Sequence, residues 1–283
     1  MQTKPRGVIA FLFLAFGLTW ISLAVTWLQG LHSPDDNAPL SGYILFTVLT
    51  LPVSFGPAIA TFVVRQWITR EGFADAGLKL NLRRTWQYYV FAWLYPLAAA
   101  PVVVVLATIV GFAPPGVAKL SLMDVAGPLL ISLVSTLVTF GEEFGWRGYL
   151  QIRLFADRPL LAAIATGLIW GIWHYPMILL GYLFPGQATM ALVLYPVNMV
   201  VTSVLYGWLR LRTGSVWSAS LFHAAGNSLL TSLLQSLFGD AYSIIVWGTL
   251  RLPVLAALAI WVILSGQLHQ SQPTTTSRDR SIN

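Results

Sequence analysis

Glu142 and Glu143 are adjacent carboxylates, and Arg147 follows four residues after the second. Successive helical residues point about 100° apart, so the two acids can do different jobs. Glu143 and Arg147 share a helix face and can pair. Glu142 is left without a local partner, and an unpaired carboxylate in a water-poor site suits proton transfer. Two further polar groups lie downstream. His174 stands one helical turn after Trp170, and His223 stands one turn before Asn227. Small residues between His223 and Asn227 permit close helix approach, and an imidazole and an amide on one face can support a water or a developing oxyanion. Each group also has a bland counterpart: a charge cluster at a helix end, a packing histidine, an interhelical polar clasp. The chain has only four histidines, and His32 and His269 fall in an outer loop and the tail. One inward-facing cluster of glutamate, two histidines and asparagine is more economical than three unrelated clasps.

The elements that must carry these residues are membrane spans. The 283 residues are 57% hydrophobic and 9% charged, whereas soluble domains carry about 25% charged residues. So few charges cannot cover a soluble surface, and the bilayer is the solvent that accepts the excess apolar residues. A span needs about 20 mostly apolar residues. Eight such stretches are expected, at 8–29, 41–64, 86–110, 122–143, 160–180, 190–209, 217–238 and 242–265. The fold expected is an all-α polytopic membrane protein of about eight transmembrane helices, a single membrane domain over 1–283, with a disordered polar tail over 267–283. The absence of cysteine excludes disulfides, thiolate zinc sites and a cysteine nucleophile.

Charge tests this map independently. Eight spans put Lys4, Arg6, Arg65, Arg70, Lys79, Arg83, Arg84, Arg147, Arg153, Arg158, Arg210, Arg212, Arg278 and Arg280 on one side, against Lys119 and Arg251 on the other. The positive-inside rule then places both termini in the cytoplasm. The net charge of +6 reads as cytoplasmic loop charge, with membrane lipids and no nucleic acid as partners. The basic loop from Arg65 to Thr85 reads as a topogenic segment lying on anionic headgroups. One tension remains: Glu142 and His223 fall near the cytoplasmic ends of their spans, whereas His174 is about 14 residues, roughly 21 Å of helix rise, into its own.

Glu142-Glu143-x-x-x-Arg147, then Trp170-x-x-x-His174, then His223-x-x-x-Asn227 resembles the motif series of the CAAX-protease and bacteriocin-processing (CPBP) family, which is similar to the type II CAAX prenyl endopeptidase. The resemblance covers about residues 123–235, the expected catalytic core. Trp170 stands where many members carry phenylalanine, and Phe55-Gly56-Pro57 resembles the family's Gly-Pro break. The resemblance implies an eight-helix intramembrane protease opening toward the cytoplasm of a prokaryotic plasma membrane. By position it implies Glu142 as the general base aided by His174, His223 and Asn227 as oxyanion donors, and Glu143 with Arg147 as the supporting ion pair. The implied substrate is a membrane-anchored or prenylated peptide, or a bacteriocin leader. Glu142, His174 and His223 could also supply the three ligands of a catalytic zinc, or hold a water with no metal.

Rival protease chemistries lack their residues. No His-Glu-x-x-His string, no Gly-x-Ser-Gly nucleophile and no pair of membrane aspartates is present. Two non-proteolytic classes stand beside the enzyme: a membrane scaffold or immunity protein of the same fold, and a transporter, for which symmetry between the two halves is expected while the polar residues here gather in one half.

Overall fold

The computed structural model describes residues 5–31, 40–112, 116 and 120–268. The expected tail, apart from its first two residues, lies outside them, as do His32 and Lys119. The described residues form helices and no strand. They run in order as α1 (Pro5–Leu28), α2 (Leu40–Val63), α3 (Leu82–Ile109), α4 (Leu122–Gly145), α5 (Pro159–Trp173), α6 (Tyr175–Leu179), α7 (Ala188–Thr213), α8 (Val216–Ala225), α9 (Thr231–Phe238) and α10 (Leu252–Leu264). Single π-helical turns extend α2 (Val64–Ile68) and α4 (Trp146–Leu150), join α8 to α9 (Gly226–Leu230), and lead into α10 (Val246–Leu250).

Seven of the resulting rods are long and apolar enough to cross a membrane. The seventh expected span, residues 217–238, is also a continuous rod, from Val216 through the π turn to Phe238, but it is not among the seven that qualify. Its composition has a physical reason. α8 is buried along almost its whole length, packed among α3, α4 and α7. It meets protein rather than lipid and can carry Ser218, Ser220 and His223.

Two glycine pairs set the helix spacing around the site. A Cβ on Gly141 would collide with the Ser54 carbonyl, and one on Gly145 with Pro57. The backbone of α4 therefore lies directly on the stretch of α2 that contains Phe55-Gly56-Pro57. On α5, a Cβ on Gly167 would fall 2.7 Å from the Met199 carbonyl oxygen, and one on Gly171 2.6 Å from Pro196 Cα, so α5 lies equally close to α7. Small residues four apart let helix backbones touch where lipid offers no hydrophobic driving force. At the other end of α4, Ser121 Oγ accepts from the Asp124 amide while Asp124 accepts from the Ser121 amide at 2.8 Å, a reciprocal cap that fixes where the helix begins.

The loop between α2 and α3 departs from its expected role. Arg65 is fully buried and donates to Asp75 at 2.7 Å, to the Gly72 carbonyl at 2.6 Å and to the Gly148 carbonyl at 3.0 Å. Arg153 donates to Glu71 at 2.7 Å, and Arg210 to the Asp75 carbonyl at 2.6 Å. The Val216 amide donates to Gly77, and the Trp217 indole to Leu78, both at 2.9 Å. The loop is therefore a folded cap across the ends of α4, α7 and α8. Arg70, Lys79, Arg83 and Arg84 remain exposed and are the cations of this segment free to meet headgroups. Asp75 is the acidic centre of the cap. Burial alone would raise its carboxyl, but the Arg65 hydrogen bond and the charges of Arg65 and Arg153 hold it below the ordinary 3.8.

Candidate active site

The fourth helix does not stop at Glu143. It continues through the π turn to Leu150, which puts Glu142 eight residues, about 12 Å, inside that end. The fifth rod starts at Pro159, close to expectation, and breaks at His174 between α5 and α6. The longer fourth helix thus removes much of the depth mismatch between Glu142 and His174.

Glu143 and Arg147 are both fully buried. One guanidinium nitrogen, Nη1, lies 3.1 Å from Glu143 Oε1 and 3.0 Å from Oε2. The guanidinium is held between two aromatic faces, with its carbon 4.4 Å from the Trp170 ring and 4.4 Å from the Tyr206 ring. Glu143 Oε1 also accepts from His223 Nδ1 at 3.0 Å. The ion pair therefore does more than brace α4: it fixes the ring of His223 on α8. A carboxylate can only accept, so Nδ1 carries the proton and Nε2 is the nitrogen left for other partners.

Trp170 ties the first and second groups together. Its indole N–H donates to Glu142 Oε2 at 2.9 Å, and its carbonyl accepts from His174 Nδ1 at 2.7 Å. By the same reasoning His174 keeps Nε2 as an acceptor. The Trp170 ring meets both imidazoles edge to face, at 5.5 Å for His174 and 5.4 Å for His223. This role of the tryptophan was not anticipated from the sequence. Its place one turn before His174 was the available signal, but which way its N–H points follows only from the fold.

A cavity of about 590 Å³ opens among α3, α4, α5, α7, the α8–α9 rod and α10. Glu142, His174, His223 and Asn227 all line it, so three separate rods bring the four residues to one space. Glu143 and Arg147 do not line it and stand behind it. Asn227 sits in the π turn between α8 and α9, and its amide has no hydrogen-bond partner among the described residues. Insertions of this kind re-aim side chains and occur often at functional sites. Tyr95, Tyr195, Tyr206 and Arg251 also line the cavity and were not anticipated. Arg251 is the clearest omission. It was assigned to the outer loop charges, yet it is buried at the start of α10.

The zinc expectation meets a geometric test. Among the described residues, no three of His, Asp and Glu come together as a metal-binding group. Glu142, His174 and His223 are therefore not gathered into a three-ligand group as they are arranged here. His174 Nδ1 faces a backbone carbonyl and His223 Nδ1 faces Glu143, so each ring keeps Nε2 for a ligand.

Comparison with known proteins finds matches over part of the chain. Residues 124–229 match the family model of the type II CAAX prenyl endopeptidase, Rce1-like. The chain is similar to CAAX prenyl protease 2 of Methanococcus maripaludis, with 28% identity over 88 residues, covering 29% of this chain and 32% of the relative. The match thus spans about a third of that relative's length. The matched stretch carries Glu142, Glu143, Arg147, Trp170, His174, His223 and Asn227.

Proposed function

We propose that this protein is an intramembrane endopeptidase of the CAAX type, cleaving membrane-anchored peptides such as prenylated tails or bacteriocin leaders with a water activated by Glu142. The observation that carries this reading is the convergence of Glu142, His174, His223 and Asn227 on one cavity among apolar helices. In the proposed step, water lies between the Glu142 carboxylate and His174 Nε2. Glu142 takes a proton as the water oxygen bonds to the scissile carbonyl carbon. The carbonyl oxygen becomes an oxyanion, and the Asn227 amide N–H and His223 Nε2–H are its donors. Nδ1 already faces Glu143, so His223 donates through Nε2 as an imidazolium with Glu143 as counter-ion. Collapse breaks the C–N bond, and the proton on Glu142 passes to the leaving amine.

Three of the four groups are held by another residue. Trp170 holds Glu142 and His174, and Arg147 with Glu143 holds His223. No metal is needed in this scheme. The exposed cations at the capped end of the bundle support an orientation with both termini in the cytoplasm of a prokaryotic plasma membrane.

The test is cleavage of a fluorogenic, lipid-anchored peptide library by the purified chain in detergent, alongside Glu142→Ala and His223→Ala. The expected result is cleavage by the native chain that both variants lose while staying folded and monodisperse. Equal cleavage by native and Glu142→Ala protein would reject the assignment, and no cleavage by any form would favour the scaffold.

A further inference from the structure

Arg251 is buried to 6% exposure and lies on the wall of the same cavity, outside the family-matched stretch of residues 124–229. Among the described residues it has no ion pair: the five bridges present use Arg65, Arg147, Arg153 and His223. Its Nε has no hydrogen-bond partner. Its one side-chain hydrogen bond is a long one, Nη2 to Asn198 Oδ1 at 3.4 Å. Asn198 is held in turn by donating to the carbonyls of Leu194 at 2.9 Å and Gly248 at 2.8 Å, which leaves its oxygen facing the guanidinium. The Trp247 ring lies 4.0 Å from the guanidinium carbon and holds it from one side. A positioned, unneutralised cation inside a membrane bundle is costly, and such residues face a pathway or a partner. Arg147 shows what a satisfied buried arginine looks like in this protein, with a carboxylate at 3.0 Å. Arg251 has the aromatic face but lacks the anion.

We infer that Arg251 forms an anion subsite in the cavity, taking an oxyanion carried by the ligand, either a carboxylate of the peptide or the phosphate of a lipid headgroup. A guanidinium presents donors matched to either group. The peptide arm of this inference rests on the cavity being the peptide site, as proposed above.

The experiment measures binding and not turnover. Full-length Glu142→Gln protein in dodecyl maltoside micelles, which carry no anion, is titrated with fluorescent peptides of one sequence. One peptide has a free C-terminal carboxylate, one a C-terminal amide, and one an amide end with an internal aspartate. Phosphatidylglycerol and inorganic phosphate are added as competitors. With Arg251 present, an anionic peptide is expected to bind about 30-fold tighter than the plain amide, the scale of losing one partner of a buried charge pair. Arg251→Gln should remove the preference and Arg251→Lys keep part of it. A preference for the free terminus places the anion at the peptide's end, and a preference for the internal aspartate places it on a side chain. Competition by phosphatidylglycerol that depends on Arg251, with no peptide preference, places it on a lipid. Equal binding of all three peptides with no phosphate competition overturns the subsite. That comparison on Arg251-containing protein decides the matter even if Arg251→Gln does not fold. A chain that cleaves nothing but prefers anionic peptides keeps the subsite and loses the protease reading, and the reverse result separates them the other way.

Discussion

The separate losses of Glu143 and Arg147 should together cost more than the loss of both at once. Both side chains are fully buried, so Glu143→Gln leaves a guanidinium in the bundle without the carboxylate that it meets at 3.0 Å. Breaking a buried pair costs about 3–5 kcal/mol. The Trp170 and Tyr206 rings, each 4.4 Å from the guanidinium carbon, offset part of this and put Glu143→Gln near the lower figure, about 3 kcal/mol. Arg147→Met loses both ring contacts as well as the pair, which places it near about 5 kcal/mol. The double variant buries no unpaired charge, so the two single effects should exceed the double by about 2–3 kcal/mol. One kcal/mol shifts the midpoint of a chain this long by about 2–4 °C, so the single variants should lose about 6–20 °C. The assay is the fraction of monodisperse protein left after heating in detergent, with its temperature midpoint compared across the four proteins. Strict additivity of the two effects would show that the pair is not coupled and refute the reasoning.

Three further outcomes follow from the same geometry. Trp170→Phe keeps the ring between Arg147 and the two histidines but removes the donor to Glu142, so turnover should fall about tenfold with little change in melting temperature; turnover within twofold of the native chain would show that the indole N–H does not matter. Gly145→Ala forces a methyl group into Pro57, with a cost of about 1–3 kcal/mol and a lower yield of folded protein, whereas Gly17→Ala, which meets nothing, should behave as the native chain. Asp75 is held below 3.8 in the folded cap, so the stability it contributes is fully present above that pH and is lost as the pH falls through its lower folded value. Asp75→Asn should remove that acid dependence and expose the 69–81 loop to protease at neutral pH, and an unchanged digestion pattern would contradict the network.

Much of this architecture was legible from residue type and spacing. Runs of apolar residues marked the rods, and even Val216–Phe238, which is not apolar enough to stand among the seven, was visible as a span despite its histidine and asparagine. The spacing of Glu143 and Arg147 foretold their pairing, because four residues on a helix fix proximity whatever surrounds them. What stayed hidden depended on the third dimension. The π turn that carries α4 past Glu143 leaves no periodic mark in the sequence. An arginine lying on headgroups and one buried against a carboxylate read alike, so Arg65 and Arg210 passed as loop charge although they clamp the 69–81 cap. Arg251 lay inside an expected span, where an ionisable residue marks function by default, yet it was counted with the outer loops. Trp170 was one turn from His174, but only the placement of α5 against α4 aims its N–H at Glu142.

The central claim is that Glu142 activates the water that enters the product. Incubating the native chain and Glu142→Gln with a cleaved lipid-anchored peptide in oxygen-18 water, and weighing the new C-terminus by mass spectrometry, tests it directly. The account predicts one oxygen-18 atom in the new carboxyl group from the native chain, and a rate of product formation reduced at least a thousandfold in Glu142→Gln. Labelled product at an undiminished rate from Glu142→Gln would contradict it.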